Sequence, residues 1–473
     1  WTRADGGELD PIRDDRPSAT HRALRPSTPM ARGERSCPPS GYPEPTVKLD
    51  DFVEFEENER AERRRLAQEK SYELMDHLES FQHRFDEATG GDSVFGSVSP
   101  SIFVGSSNYP NLSTGLLSPV GHEEDATTYE TSSAWYEEGV SISDVFERRT
   151  SLLNSTQGVD ARSVGDGGGV HDAWDGFLGV QREVAIADRP VDVEVFLDDG
   201  PDIDYDVSPD DIATPTGPRA RAADADLTEN PHVPRPVKKT LEDDDWRAEG
   251  ARNYLYRRGF DVYDINTVLS AGALGRGDQR RLVPTRWSIT AVDDTIGKYL
   301  RGTVRGRRSV DTVQVWRNQY LGNAFWVVLA PGDWEFELVE IKSPGSIWHP
   351  DPQGDTYLSS AHENREGRTK YVDETAGAYY ASRFGVLEHL SERGRQAKVL
   401  VLRHVSDDYW GPVGVWQVRE SVRNAFEGEH GEAETFEDAV RGVSDQLPVS
   451  LARLRQKSTM VAGLQSSLAD WTA

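Results

Sequence analysis

A single cysteine, Cys37, stands in a chain of 473 residues. One thiol can neither close an internal disulfide nor build a Cys-rich zinc centre. Lysine is nearly as scarce, with nine residues against 44 arginines. Long apolar runs are also missing. Nothing approaches the roughly 18 consecutive apolar residues of a membrane-spanning helix, and no basic stretch followed by an apolar one marks a secretory leader. These absences exclude a membrane protein and a secreted one, and predict a soluble, cytoplasmic chain with one or two hydrophobic cores.

What is abundant is acid. Asp and Glu number 81 against 53 Lys and Arg, a net charge of −28. Mean hydropathy is −0.64. A large acidic excess with little lysine points to a proteome adapted to high salt, where carboxylates hold hydrated cations and long lysine stems would add apolar surface. An acidic protein from a GC-rich genome, with Arg codons replacing Lys codons, is the alternative. In either case the whole molecule repels nucleic acid at low salt, so contact with DNA requires a local patch or a partner.

Residues 1–46 are rich in Arg, Pro, Asp and Ser and lack periodicity. They read as disordered, or as sequence upstream of a natural start at Met30 or, better, Val47. Leu74, Leu78, Phe81 and Phe85 recur as one helical face within 54–87, and Gly90-Gly91 ends it. Short strands are expected at 99–105 and 113–117, a Gly-rich loop at 165–169 and a strand region at 184–196. Residues 198–245, with seven prolines and many aspartates, read as an acidic insertion outside the core. A helix is expected over 246–258, a dense mixed segment over 282–300, strands through 312–342, a helix over 373–393 and a buried strand at 398–402. Residues 427–445 read as polar, and 441–473 as a tail. Strands and helices mix without a βαβ rhythm, so the class is α+β in two domains, 47–310 and 311–440.

Three constellations could carry chemistry. The first is terminal: Gln465, Leu468, Trp471 and Thr472, within 465–472, match a sliding-clamp-binding peptide. A 3₁₀ turn repeats every three residues, so Leu468 and Trp471 would project together while Gln465 fixes register in a polar pocket. Thr472 replaces a second aromatic. A terminal amphipathic turn packed on its own domain is the alternative. The second constellation is a basic stretch. Arg276, Arg280, Arg281, Arg286, Lys298, Arg301, Arg305, Arg307 and Arg308 face only Asp278, Asp293 and Asp294, a local charge of +6. Guanidinium forks suit phosphate oxygens, and Arg286 with the paired carboxylates Asp293 and Asp294 could hold a phosphate and a metal or base. A solvated face paired to the acidic insertion is the alternative. The third is Asp333 with Glu340-Ile-Lys342, the pattern of some nuclease metal sites, or equally the wet face of an amphipathic strand. No histidine spacing suits zinc, and no nucleophile or cofactor is indicated.

Longer stretches point further. Ser99 to Gly105 with Asn108-Tyr-Pro110, Gly115 to Pro119, and Leu282-Val-Pro-Thr-Arg286-Trp287 through Asp293-Asp294 resemble the N-terminal part of the archaeal Nre family. Leu321-Gly-Asn323, Trp334 to Leu338, Pro344 to Trp348, and Gly377 to Leu390 resemble its C-terminal part. The resemblance implies a role in DNA-damage repair and a C-terminal peptide that binds the sliding clamp PCNA, here Gln465, Leu468 and Trp471. Many members carry an N-terminal Cys-rich zinc finger; this chain has none, so zinc is not implied. The expected function is a nucleoid-associated DNA repair factor tethered to the clamp, touching DNA through 276–308. A nucleic-acid- or nucleotide-processing enzyme built on that same segment, or a purely structural adaptor, is the other possibility.

Overall fold

The computed structural model describes residues 93–99, 101–119, 123–161, 176–198, 217–349, 354–409 and 411–464. The expected helix over 54–87, the 165–169 loop and the peptide 465–472 lie outside them. Up to residue 227 the elements are β1 (Ser93–Ser99), β2 (Ser101–Val104), β3 (Asn111–Pro119), α1 (Ala134–Glu137), α2 (Ile142–Thr150), β4 (Leu152–Asp160), α3 (Gly176–Ile186), β5 (Val191–Leu197) and β6 (Arg219–Leu227). Their six strands form one sheet in the order β1-β5-β6-β4-β3-β2. The β4–β6 pair is parallel and the other pairs are antiparallel. Helix α3 buries Phe177, Val180, Val184 and Ala185 in the core of this sheet.

Two local readings change here. The segment read as a strand from 184 begins as the last turn of α3, and the strand starts at Val191. More important, 198–245 is not all peripheral: β6 lies inside the sheet, between β5 and β4. Its inward residues are Ala220, Ala222 and Ala225, and Arg and Asp fill most of the remaining positions. Alanine adds little hydropathy, and a register shift against β5 breaks the alternation between Ala222 and Ala225. Together these hide the strand.

Next come α4 (Arg235–Glu242), α5 (Ala248–Arg257), α6 (Val262–Ser270) and α7 (Thr285–Val304). The second sheet is built from β7 (Val313–Tyr320), β8 (Asn323–Ala330), β9 (Glu335–Lys342), β10 (Tyr357–Glu363), β11 (Lys398–Val405) and β12 (Gly431–Ala433). Helix α8 (Ala376–Arg393) precedes β11, and α9 (Trp416–Ala425) follows it. The chain closes with α10 (Phe436–Ser444), α11 (Leu451–Lys457) and α12 (Thr459–Ala462). Strand order is β10-β9-β11-β8-β7-β12. Strand β11 runs antiparallel to β8 and parallel to β9.

Every residue of β8 is buried because both faces of the sheet are covered. Phe325, Val327 and Leu329 enter one core with residues of α4 to α9. Ala324, Trp326, Val328 and Ala330 enter the other, with Val440, Leu454 and Val461. The expected helix over 373–393 is α8. Tyr380, Phe384, Leu387 and Leu390 are its buried face, and Gly394 ends it with a φ of 61°. The mixed α+β class stands.

The expected tail does not begin at 441. Helices α10 to α12 pack on the sheet through Ala439, Val440, Val443, Leu454, Met460 and Val461. Their apolar residues are few and their outer faces charged, so the pattern reads as polar. Glu337 of β9 secures the last turn. Its buried carboxylate accepts from Ser458 Oγ at 2.7 Å and from the amides of Thr459 and Met460, both at 2.8 Å. A helix start normally leaves such amides unsatisfied.

The core also crosses the boundary expected at 310. Val237, Leu255, Ile265, Ile296 and Leu300, placed before it, share a cluster with Phe325, Phe336 and Val401, placed after it. A fragment of 311–473 therefore exposes one face of the second sheet, at roughly 1.5–3 kcal/mol for each large apolar side chain left in water. We expect it to lack near-UV circular dichroism and a cooperative melt, both of which the full chain should show.

Candidate nucleic-acid interface

Helix α7 carries the middle of the basic stretch. The chain enters it through Pro284, whose fixed φ suits a helix start. Thr285 Oγ1 accepts from the Val104 amide at 2.9 Å, and the Trp287 ring lies 5.2 Å from that of Tyr109. The segments around 99–110 and 282–294, far apart in sequence, thus meet at this end of the helix.

Asp293 and Asp294 project inward from α7. Asp293 accepts a forked pair from Arg419 of α9, with Nη2 at 2.7 and 2.9 Å from the two oxygens. Asp294 accepts from Arg383 of α8 at 2.7 Å and pairs with Lys298 at 2.8 Å. Arg383 reaches on to Glu363 of β10 at 2.9 Å, and Glu363 also accepts from Trp334 Nε1 at 3.0 Å and pairs with Arg301 at 3.5 Å. Asp293 is 1% exposed and Asp294 4%. Burial alone would raise the carboxyls of Asp294 and Glu363, but the cations beside them win, and both lie below their ordinary values. Burial likewise works against Arg419, yet Asp293 holds it above the ordinary guanidinium value.

These carboxylates therefore join helices rather than face a ligand, which corrects the expectation that they help hold a phosphate or a metal. Among the described residues no group of three or more His, Cys, Asp or Glu side chains could hold a metal ion. The nuclease-like pattern fails on distance. Asp333 pairs with Arg365 at the surface, Glu340 is buried against Arg403 at 2.6 Å and Lys342 at 3.3 Å, and the strand from Glu335 to Glu340 alone spans about 17 Å between them.

The arginines divide as well. Arg280 is buried and donates to the carbonyls of Gly275, Leu241, Thr240 and Asp243 at 2.9 to 3.4 Å, riveting its loop to the end of α4. Arg301 is buried against Glu363. Neither belongs to a surface patch. The others sit at opposite ends of α7, whose 20 residues span about 30 Å. At the C-terminal end Arg305 pairs with Glu366 and Arg308 with Asp311, while exposed Arg307 donates to the Thr303 carbonyl. At the N-terminal end Arg276 and Arg281 are exposed and Arg286 is half-buried.

Sequence reasoning missed the neighbours of that second end. The Arg280 rivet brings α4 and α5 beside it, with Arg235, Lys238, Lys239, Arg247 and Arg258 all exposed. A signal was present: two of the chain's nine lysines stand side by side at 238–239. The terminal residues Gln465, Leu468, Trp471 and Thr472 lie just beyond Leu464, the last described residue.

The buried pairs generate a prediction with a sign. Removing one partner of a buried pair costs about 3–5 kcal/mol. Asp294 is more acidic folded than unfolded, so its contribution is full above the ordinary carboxylate range and fades as pH falls through its lowered folded value. Asp294→Asn should lower the melting temperature strongly at pH 7, and the gap to wild type should close on acidification. A gap that does not depend on pH would mean that the pair contributes shape and not charge.

Residues 66–349 match the family described as "Archaeal Nre, N-terminal", and residues 363–471 that described as "Archaeal Nre, C-terminal". The chain is 69% identical over 425 residues to the DNA repair protein NreA of Haloferax volcanii, covering 90% of this chain and 100% of the relative. It is 34% identical over 345 residues to the DNA repair protein NreA of Archaeoglobus fulgidus, covering 73% of this chain and 83% of the relative. It is also 34% identical over 368 residues to the DNA repair protein NreB of the same organism, covering 78% and 89%. No solved structure matches. With both family segments found in order and a relative aligned over nine-tenths of this chain, the chain belongs to the archaeal Nre family.

Proposed function

We propose that this protein is a DNA repair factor held at the sliding clamp PCNA by its C-terminal peptide, with its body meeting DNA at the N-terminal end of α7. Kinship with relatives named as DNA repair proteins supports the repair role. The Gln465, Leu468, Trp471 spacing supports the tether, and it is the observation on which the mechanism rests. The acid-rich, lysine-poor composition fits a high-salt cell, as does the Haloferax relative.

A tether suits this charge. At −28 the chain gains little from long-range attraction to DNA, and a clamp already on DNA supplies a high local concentration instead. It would also place the protein at the nucleoid. Salt screens ion pairs but leaves apolar burial intact or strengthened, so Leu468 and Trp471 are suitable anchors at molar salt. The enzyme reading draws no support from Asp293 and Asp294, whose charges are spent inside the fold.

Each buried anchor is worth roughly 1.5–3 kcal/mol. With Thr472 in place of an aromatic, the isolated peptide should bind at about micromolar strength, near 8 kcal/mol. Calorimetry with the clamp in molar KCl should show heat for the wild type, less for Gln465→Ala and none for Trp471→Ala, with one melting temperature for all three. Truncation after Leu464 removes none of the described core and should also abolish the heat. Equal heats for wild type and Trp471→Ala would overturn the tether.

A further inference from the structure

We propose that Trp246 and Tyr254, framed by Lys239, Arg258, Arg247 and Arg276, form a platform on which unpaired bases of single-stranded DNA stack. This rests on the reading that the N-terminal end of α7 faces DNA, and it names the form of DNA.

The two rings meet edge to face, 5.0 Å apart, in the angle between α4 and α5. Both are half-buried, packed on the main core on one side and open on the other. Cations lie over them. Lys239 Nζ is 5.6 Å from the Trp246 centroid and 5.3 Å from that of Tyr254, and the Arg258 guanidinium is 5.1 Å from Tyr254. Lys239 and Arg258 are exposed, and their charges lie at the ends of long side chains. A nucleotide offers the π face of its base to the ring and its phosphate to the cation, so it can satisfy the ring and its guardian charge at once. The loop carrying Arg276 is fixed beside the platform by Arg280, and Gly275 approaches Ala248 at the start of α5.

Charge decides between single strand and duplex. The seven cations Arg235, Lys238, Lys239, Arg247, Arg258, Arg276 and Arg281 share this surface with the five acids Glu242, Asp243, Asp244, Asp245 and Glu249, a net of only +2. Asp244 already faces Arg280 at 3.5 Å. A near-neutral surface in an acidic molecule gains little from a duplex, whose base faces are hidden and whose approach depends on phosphates. Stacking itself does not depend on phosphate count, so only the few phosphate contacts made by cations such as Lys239 and Arg258 carry a salt dependence. At the opposite end of α7, Arg305 and Arg308 pair with carboxylates at the surface.

The test uses the full chain and fluorescence anisotropy with a labelled oligo-dT and a duplex of equal length, in KCl from 0.2 to 2 M. The expected result is tighter binding of oligo-dT with a shallow salt slope. Trp246→Leu and Tyr254→Leu keep apolar packing and remove the π face. Each should weaken oligo-dT binding at least about tenfold without changing the slope, and Trp246→Phe should restore most of it. Cross-linking of iododeoxyuridine-substituted oligo-dT to the wild type should label peptide 246–257, which keeps the test decisive if a variant fails to fold. Wild-type binding of oligo-dT with neither a variant effect nor a cross-link there would overturn the platform alone. Binding of neither DNA by the wild type would overturn the DNA-facing reading as well.

Discussion

The Arg383 guanidinium, sealed from water on α8, must satisfy Asp294 of α7 and Glu363 of β10 at once. An unpaired buried charge is among the most destabilising groups a fold can hold, so three elements are fixed to one point. Gly297 makes room for it: a Cβ there would come within 3.1 Å of Arg383 Nη2. The Asp293–Arg419 fork extends the constraint to α9. A second set continues it, with Arg423 joining Glu388 and Glu420, and Tyr256 and Tyr263 donating to those same carboxylates. Much of the contact within the helical layer is therefore specified by charge, with Glu363 tying it to the sheet, over an apolar floor that alone would permit sliding.

The same constraint joins the two family segments. Asp294 belongs to the stretch matched over 66–349, and Glu363 and Arg383 to that matched over 363–471. The second sheet interleaves them further, because β11 from the later stretch lies between β8 and β9 from the earlier one. Two matched segments thus do not mean two separable bodies here, since each supplies strands the other needs.

What the sequence made legible follows from how strongly each element repeats. Helix α8 and strands β7, β8, β9 and β11 carry dense aliphatic and aromatic residues at one period, and they stand where expected. Strand β6 escaped because its inward residues are alanines and a bulge interrupts them. The closing helices escaped because a turn or two of helix offers only two or three apolar positions. The candidate site was harder still. Spacing showed that Asp293, Asp294 and the arginines are neighbours in the chain, but whether a charge faces water or a buried partner depends on Arg383, Glu363 and Arg419, many residues away. The spread of the basic stretch over both ends of α7 likewise appears only once the helix length is known.

Glu337 gives the C-terminus a mechanical character. Any pull on the chain beyond Leu464 that opens the last turn, where Leu464 donates to Val461 and Gly463 to Thr459, arrives at the amides of Thr459 and Met460 and the hydroxyl of Ser458, all held by one carboxylate. That carboxylate stands on β9, which is hydrogen-bonded to β10 on one side and β11 on the other. Tension therefore enters the interior of the sheet and meets several backbone bonds in parallel, where a terminus lying on an edge would unzip one bond at a time. The last helices act as a strain relief, and a protein attached to a moving partner by its final residues would transmit that motion to its whole body.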